Sequence, residues 1–183
     1  MTNFPIFITG NQNKADYLTR TLGLKIEHHK LDLDEIQSLD PQVVVEHKVR
    51  QAYGILKRPV LVEDTALSFA ALGGLPGTFI RFFVDADNGL ENLCRMLDGF
   101  DDRSAYASAI YGYYDGTRLK FFAGGLDGLI ASYPRGEGGY GWDEIFEPIG
   151  YDGLTRAELS SEKDVESYKK IRNLVDLKKF LLS

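Results

Sequence analysis

The stretch SAYASAIYGYYDGTRLKFFA, Ser104 to Ala123, decides the fold. Two strand-like runs, Ser104 to Tyr114 and Thr117 to Ala123, flank Asp115-Gly116, a pair that tolerates the left-handed backbone of a two-residue hairpin. Everything upstream alternates instead. Phe4 to Thr9 reads as a buried first strand, ended by Gly10-Asn11, and Ala15, Leu18 and Leu22 then recur at helical spacing from about Asn13 to Leu22. Asp40-Pro41 supplies a cap and a first-position proline for a helix to about Leu56, with Val45, Val49, Ala52 and Leu56 as its apolar stripe. Pro59-Val60-Leu61-Val62 is a short buried strand that delivers Glu63-Asp64 at its end. Asn88 to Leu97 is helical by pattern, Leu126 to Ser132 is a further strand, and an amphipathic helix closes the chain from about Val165 to Leu182. Alternation followed by a hairpin gives an α/β (α+β) domain on a mixed sheet.

The chain has 183 residues, enough to bury a sizeable core as one domain over residues 1–183. One cysteine, Cys94, excludes a disulfide framework and any multi-cysteine metal site. No apolar run approaches the ~20 residues a bilayer crossing needs, and Met1-Thr2-Asn3 opens no signal peptide. A reduced, cytoplasmic protein with no membrane partner is expected. The net charge of −6 argues against a nucleic-acid polymer, since phosphate backbones are held by clustered Lys and Arg. A small anionic ligand is still compatible with that sign.

Glycine is uneven: nine of 19 fall between Gly124 and Gly153, and three more between Gly73 and Gly77, marking tight turns or close approach to a ligand. Five constellations could carry chemistry. Thr9-Gly10-Asn11-Gln12-Asn13-Lys14, between strand and helix, aims backbone N–H groups and a helix N-terminus at one point, which suits phosphate. It is equally the form of an ordinary turn capped by Asn11. Lys48 flanks the apolar stripe of its helix, where a lysine either snorkels to the core edge or points into a cleft. Glu35, Glu63 and Asp64 offer hard oxygen ligands for Mg²⁺ and a group to orient or deprotonate water. Adjacent strand residues face opposite ways, so Glu63 and Asp64 should not share a role. Gly138 to Asp143, with Tyr140, Gly141 and Trp142, is either an aromatic platform for a flat ring or a glycine-rich turn around a buried tryptophan. Thr155-Arg156-Ala157-Glu158 fits a capping box, as do Ser161 and Asp164, whereas Lys163, Lys169 and Lys170 make more sense facing an anion than opening a helix. His28, His29 and His47 stand in no metal-ligand spacing with Cys94, and no serine or cysteine triad motif is present.

In series, these pieces resemble the inosine triphosphate pyrophosphatase family. The resemblance rests on Thr9-Gly10-Asn11…Lys14, Glu35-Ile36-Gln37, Lys48, Val62-Glu63-Asp64-Thr65-Ala66-Leu67 and Ala71-Leu72-Gly73-Gly74-Leu75-Pro76-Gly77. It continues through Gly138 to Asp143, Ile145-Phe146-Glu147-Pro148, and Thr155-Arg156-Ala157-Glu158-Leu159…Lys163. It implies a two-lobed fold on a long mixed sheet with flanking helices, a cleft between lobes, and a homodimer. It further implies that Thr9, Gly10, Asn11, Lys14 and Lys48 hold phosphates, and that Glu35 and Asp64 bind Mg²⁺. Asp64 would also position or activate the attacking water. Thr65 and Lys163 would contact the nucleotide, Arg81 would add positive charge, and Tyr140, Gly141, Trp142 and Asp143 would enclose the base. One departure stands out: the family's Ser-His-Arg triplet, four residues after the lysine, is Ser167-Tyr168-Lys169 here. Arginine offers a planar fork of donors and lysine a point charge, so base reading by Tyr168 and Lys169 differs from the family's.

The expected activity is Mg²⁺-dependent hydrolysis of a nucleoside triphosphate, with deaminated purines (ITP, dITP, XTP) as substrates and a nucleoside monophosphate and pyrophosphate as products. The altered triplet keeps two alternatives in play: a non-catalytic nucleotide-binding protein, and the same chemistry on other nucleotides.

Overall fold

A computed structural model describes residues 4–183, so Met1-Thr2-Asn3 lie outside the described residues. The chain order is β1 (Ile6–Ile8), α1 (Gln12–Leu22), β2 (His28–His29), α2 (Pro41–Leu56), β3 (Val60–Phe69), a 3-10 turn (Ala70–Leu72), β4 (Pro76–Gly77), α3 (Ile80–Val84) and α4 (Gly89–Arg95). After these come β5 (Ser104–Tyr114), β6 (Leu119–Ile130), β7 (Phe146–Pro148), a second 3-10 turn (Arg156–Glu158), α5 (Ser161–Ile171) and α6 (Leu174–Leu181). Seven strands form one mixed sheet in the order β2-β1-β3-β5-β6-β7, with β4 paired to β3. β1 is parallel to β2 and β3, while β3/β4 and β6/β7 are antiparallel. The expected α/β class on a mixed sheet with flanking helices is what the chain adopts.

Two compact units are distinguishable. The first comprises the chain up to Asp64, Ala109–Ala123 and Arg172–Ser183. Its core joins Ile6 and Ile8 of β1, Val60 and Val62 of β3, and Ile110 to the stripe Val45, Val49 and Ala52 of α2, as the helical spacing predicts. The helices α1 and α2 of this unit are capped as read. Asn11 Oδ1 accepts from Lys14 N, and Asp40 accepts from Gln42 N ahead of Pro41. The second unit comprises Thr65–Ser108 and Gly124–Ile171. Here Arg103 ties α4 to β6 by donating to the carbonyls of Cys94, Ile130 and Ala131.

Three sequence expectations are corrected. The β5–β6 connection has four residues, Asp115 to Arg118, rather than two. Asp115 Oδ1 accepts from the N–H groups of both Thr117 and Arg118, and only Gly116 takes a positive φ (98°), so no type I′ turn forms. The strands expected at Thr117 to Ala123 and Leu126 to Ser132 are one strand, β6. Its glycines read as a break, yet a Cβ on Gly125 would stand 1.9 Å from the Tyr106 hydroxyl, so that glycine marks a close approach inside the strand. The closing helix begins earlier, at Ser161, and is interrupted after Ile171, because Asn173 caps a separate α6 by accepting from Asp176 N.

Candidate active site

In the first unit, β1 ends at Ile8 and its chain turns through Thr9-Gly10-Asn11 into α1. Two N–H groups of that turn are already used: Asn11 N donates to Thr9 Oγ1 (3.0 Å) and Lys14 N to Asn11 Oδ1 (3.3 Å). The stem of Lys30 lies over Gly10, whose absent Cβ would meet it at 3.4 Å. Lys30 therefore adds a cation at this turn that the sequence reading missed.

The parallel strand β3 delivers the acids. Glu63 and Asp64 do face different partners. Glu63 is buried and accepts from Arg172 Nε (2.9 Å) and Tyr111 Oη (3.0 Å), with Lys14 Nζ 3.9 Å away. Burial alone would raise its pKa, but Arg172, Lys14 and Tyr111 together hold it below the usual carboxylate range. Asp64 instead pairs with Lys48 Nζ at 3.2 Å, and the same ammonium meets Glu35 Oε1 at 2.9 Å. Lys48, at 8 % exposure, therefore points inward between two carboxylates rather than snorkelling outward. Burial pushes the Asp64 pKa up against the pull of Lys48 and Lys14, with Glu35 adding to the rise. Burial also opposes the charge of Lys48, but Asp64 and Glu35 outweigh it and raise its pKa.

The second unit holds the other set. Trp142 is buried at 7 % exposure and packs edge-on against Phe146 (5.6 Å), so of the two readings of this segment the buried tryptophan is the one observed. Asp143 is buried, with Oδ2 accepting from Tyr140 N (2.9 Å) and Oδ1 from Arg156 (2.9 Å). The Thr155…Glu158 capping box is present, and Arg135 braces it by donating to Glu158 and to Glu147. Thr65 follows Asp64 on β3, half-buried.

The remaining predicted residues stand elsewhere. Arg81 is exposed and pairs with Asp85, and Lys163 pairs with Asp152 at 3.2 Å. Tyr168 is fully buried and Lys169 is exposed. Lys169 and Lys170 lie in the last turn of α5, where the dipole favours cations, so the expectation that they suit an anion better than their own helix is corrected. Lys170 pairs with Glu166 at 2.7 Å. The buried Arg156 and Arg172 were missed, because an isolated arginine in a polar stretch gives no periodic signal for burial.

An α/β protein is thus defined whose carboxylate–lysine cluster gathers at Asp64 within β3, just past Val62 where its parallel pairing with β1 stops, rather than at the strand end that the sequence suggests. The chain belongs to the Ham1 family, whose profile matches residues 5–180. It is 42% identical over 174 residues to inosine triphosphate pyrophosphatase 2 of Trypanosoma cruzi, covering 93% of this chain and 88% of that one. It is also 42% identical over 181 residues to the inosine triphosphate pyrophosphatase of Yarrowia lipolytica, covering 96% and 94%. The structure of the Staphylococcus aureus Ham1 protein matches it with a TM-score of 0.77 at 25% identity, over 97% of both chains. The family resemblance read from the sequence is borne out.

Proposed function

We propose that this chain hydrolyses nucleoside triphosphates to a nucleoside monophosphate and pyrophosphate, with deaminated purine nucleotides as substrates and Mg²⁺ as the metal. The relatives named for that activity on inosine triphosphate support the reaction. The observation that carries it is the convergence of Glu35 and Asp64 on one buried lysine.

That convergence also tests the fit of a metal. Among the described residues no group of three or more His, Cys, Asp or Glu could hold an ion by itself. Two convergent carboxylates are nonetheless a suitable donor set for Mg²⁺, which is usually held by one or two carboxylates with phosphate and water completing its shell. Glu35 and Asp64 would hold it, and when bound it would neutralise charge on the phosphates. In this reading Asp64 orients the attacking water and accepts its proton. The water oxygen bonds to the α-phosphorus as the bond to the α–β bridging oxygen breaks, and pyrophosphate leaves. Lys14, Lys48 and the Thr9-Gly10-Asn11 turn take the phosphates, and Glu63 holds Lys14 toward them. Thr65, Arg81 and Lys163 contribute further contacts, and Tyr140, Gly141 and Asp143, with Lys169, form the base end, which the buried Trp142 and Tyr168 support from within. A homodimer in the cytoplasm completes the proposal.

Asp64→Asn tests it. The variant should fold with an unchanged melting curve and lose pyrophosphate release from inosine triphosphate by at least about a hundredfold. Near-normal turnover would sink the assignment.

A further inference from the structure

We propose that Arg156 is the positioning residue for base selection, acting through Asp143. The inference rests on the reading above that Tyr140 to Asp143 receive the base.

Arg156 has the setting of a built device. Its side chain is 2 % exposed, and each nitrogen of its guanidinium donates to a different acceptor. Nη1 meets Asp143 Oδ1 at 2.9 Å, Nε meets Ser167 Oγ at 3.0 Å, and Nη2 meets Asp164 Oδ1. Ser167 in turn donates to the Asp164 carbonyl at 2.9 Å. One planar fork therefore joins the Gly-Trp-Asp turn to two residues of α5, Asp164 and Ser167, a geometry that a single ammonium cannot span. Asp143 is fixed from its other side as well. Its Oδ2 accepts from Tyr140 N, its carbonyl accepts from Ala157 N (3.1 Å), and a Cβ on Gly139 would stand 2.4 Å from Oδ2.

The triplet Ser167-Tyr168-Lys169 gains a new meaning from this arrangement. Its third residue is a point charge on the exposed side of α5, and its second is wholly buried. The guanidinium associated with the triplet comes instead from Arg156, through Ser167.

An ionised carboxylate accepts hydrogen bonds and donates none. A 6-oxopurine presents an N–H at ring position 1, whereas a 6-aminopurine presents a lone pair there. A carboxylate locked in one orientation distinguishes these two edges, and one free to rotate away does so poorly. Polar groups fixed in this manner discriminate far more strongly than shape alone. Arg156 thus sets selectivity for 6-oxopurine nucleotides without itself touching the reacting atoms.

The test compares binding of inosine and adenosine monophosphates by calorimetry in wild type, Arg156→Lys, Asp143→Asn and the double variant. Melting curves establish that each is folded. Wild type should prefer the inosine nucleotide, and Arg156→Lys should cut that preference about tenfold. The double variant should be no less selective than Asp143→Asn alone, because both changes act through one carboxylate. A merely structural role would weaken both ligands equally and leave the ratio unchanged, which overturns the inference, as would additive effects in the double variant. If Arg156→Lys does not fold, Ser167→Ala removes one anchor with all charges kept. It should lower the ratio about threefold, and an unchanged ratio again overturns the inference. Pyrophosphate release from inosine triphosphate is assayed separately. A wild type that releases no pyrophosphate overturns the enzymatic reading, whereas an inosine preference that falls in Arg156→Lys still supports the positioning role.

Discussion

Glu63 and Asp64 are neighbours on one strand, and their side chains serve different ends. Asp64 meets the buried Lys48, while Glu63 turns the other way and binds Arg172 and Tyr111. The division was legible in the sequence, because successive strand residues face opposite ways. The partner of Glu63 was not, since Arg172 lies 109 residues away in a segment read as continuous helix. A buried charge left without its partner is costly, so Arg172→Met should destabilise the fold by about 3 kcal/mol. A urea titration checks this through its midpoint, with the slope unchanged. A loss within error of zero would mean that the pair contributes no stability. Lys48 makes a similar point: its spacing left two orientations open, and the choice depended on two acids distant in sequence.

At the scale of elements, periodicity and caps were sound guides and glycines were ambiguous ones. α2 lies where Asp40-Pro41 and its stripe place it. β6 runs through a Gly-Gly pair that reads as a break, because the space needed by Tyr106 cannot be seen in the sequence. The short strands β2, β4 and β7, of two or three residues, are too brief to show alternation at all. The capping box at Thr155 was legible down to its residues, and it supports a prediction with a sign. The pKa of Glu158 is lowered by the Thr155 N–H first and, against burial, by Arg135. A carboxylate whose folded pKa lies below its unfolded 4.5 contributes stability that is full above that pH and is lost as pH falls through the folded value. Glu158→Gln keeps a side-chain acceptor but loses the charge, and should cost about 1 kcal/mol at pH 7. The difference in melting temperature from wild type should begin to shrink as pH falls below 4.5 and disappear below the lowered folded pKa, where both proteins are uncharged at this position. A difference that stays constant from pH 7 to pH 3 would assign the effect to packing.

For the whole molecule, the alternating elements and the hairpin sufficed for a mixed-sheet α/β fold, and the serial motifs sufficed for the family. The acid excess described the surface and said little about the site. At the site, cations and carboxylates are matched one to another, with Lys14 beside Glu63 and Lys48 between Glu35 and Asp64. In the proposed function these groups exchange partners with the phosphates of the substrate and the metal. Selectivity for the base is the least legible property in the proposed account, which places it on a buried arginine that sequence assigns to a cap. The central claim is cleavage between the α- and β-phosphates of a deaminated purine nucleotide. Incubating the protein with Mg²⁺ and inosine, xanthosine or adenosine triphosphate, and measuring pyrophosphate and orthophosphate separately, tests it most directly. The account predicts equal amounts of monophosphate and pyrophosphate, with inosine and xanthosine triphosphates preferred over adenosine triphosphate by at least about tenfold. Nucleoside diphosphate and orthophosphate as primary products, or no turnover of any of the three, would contradict it.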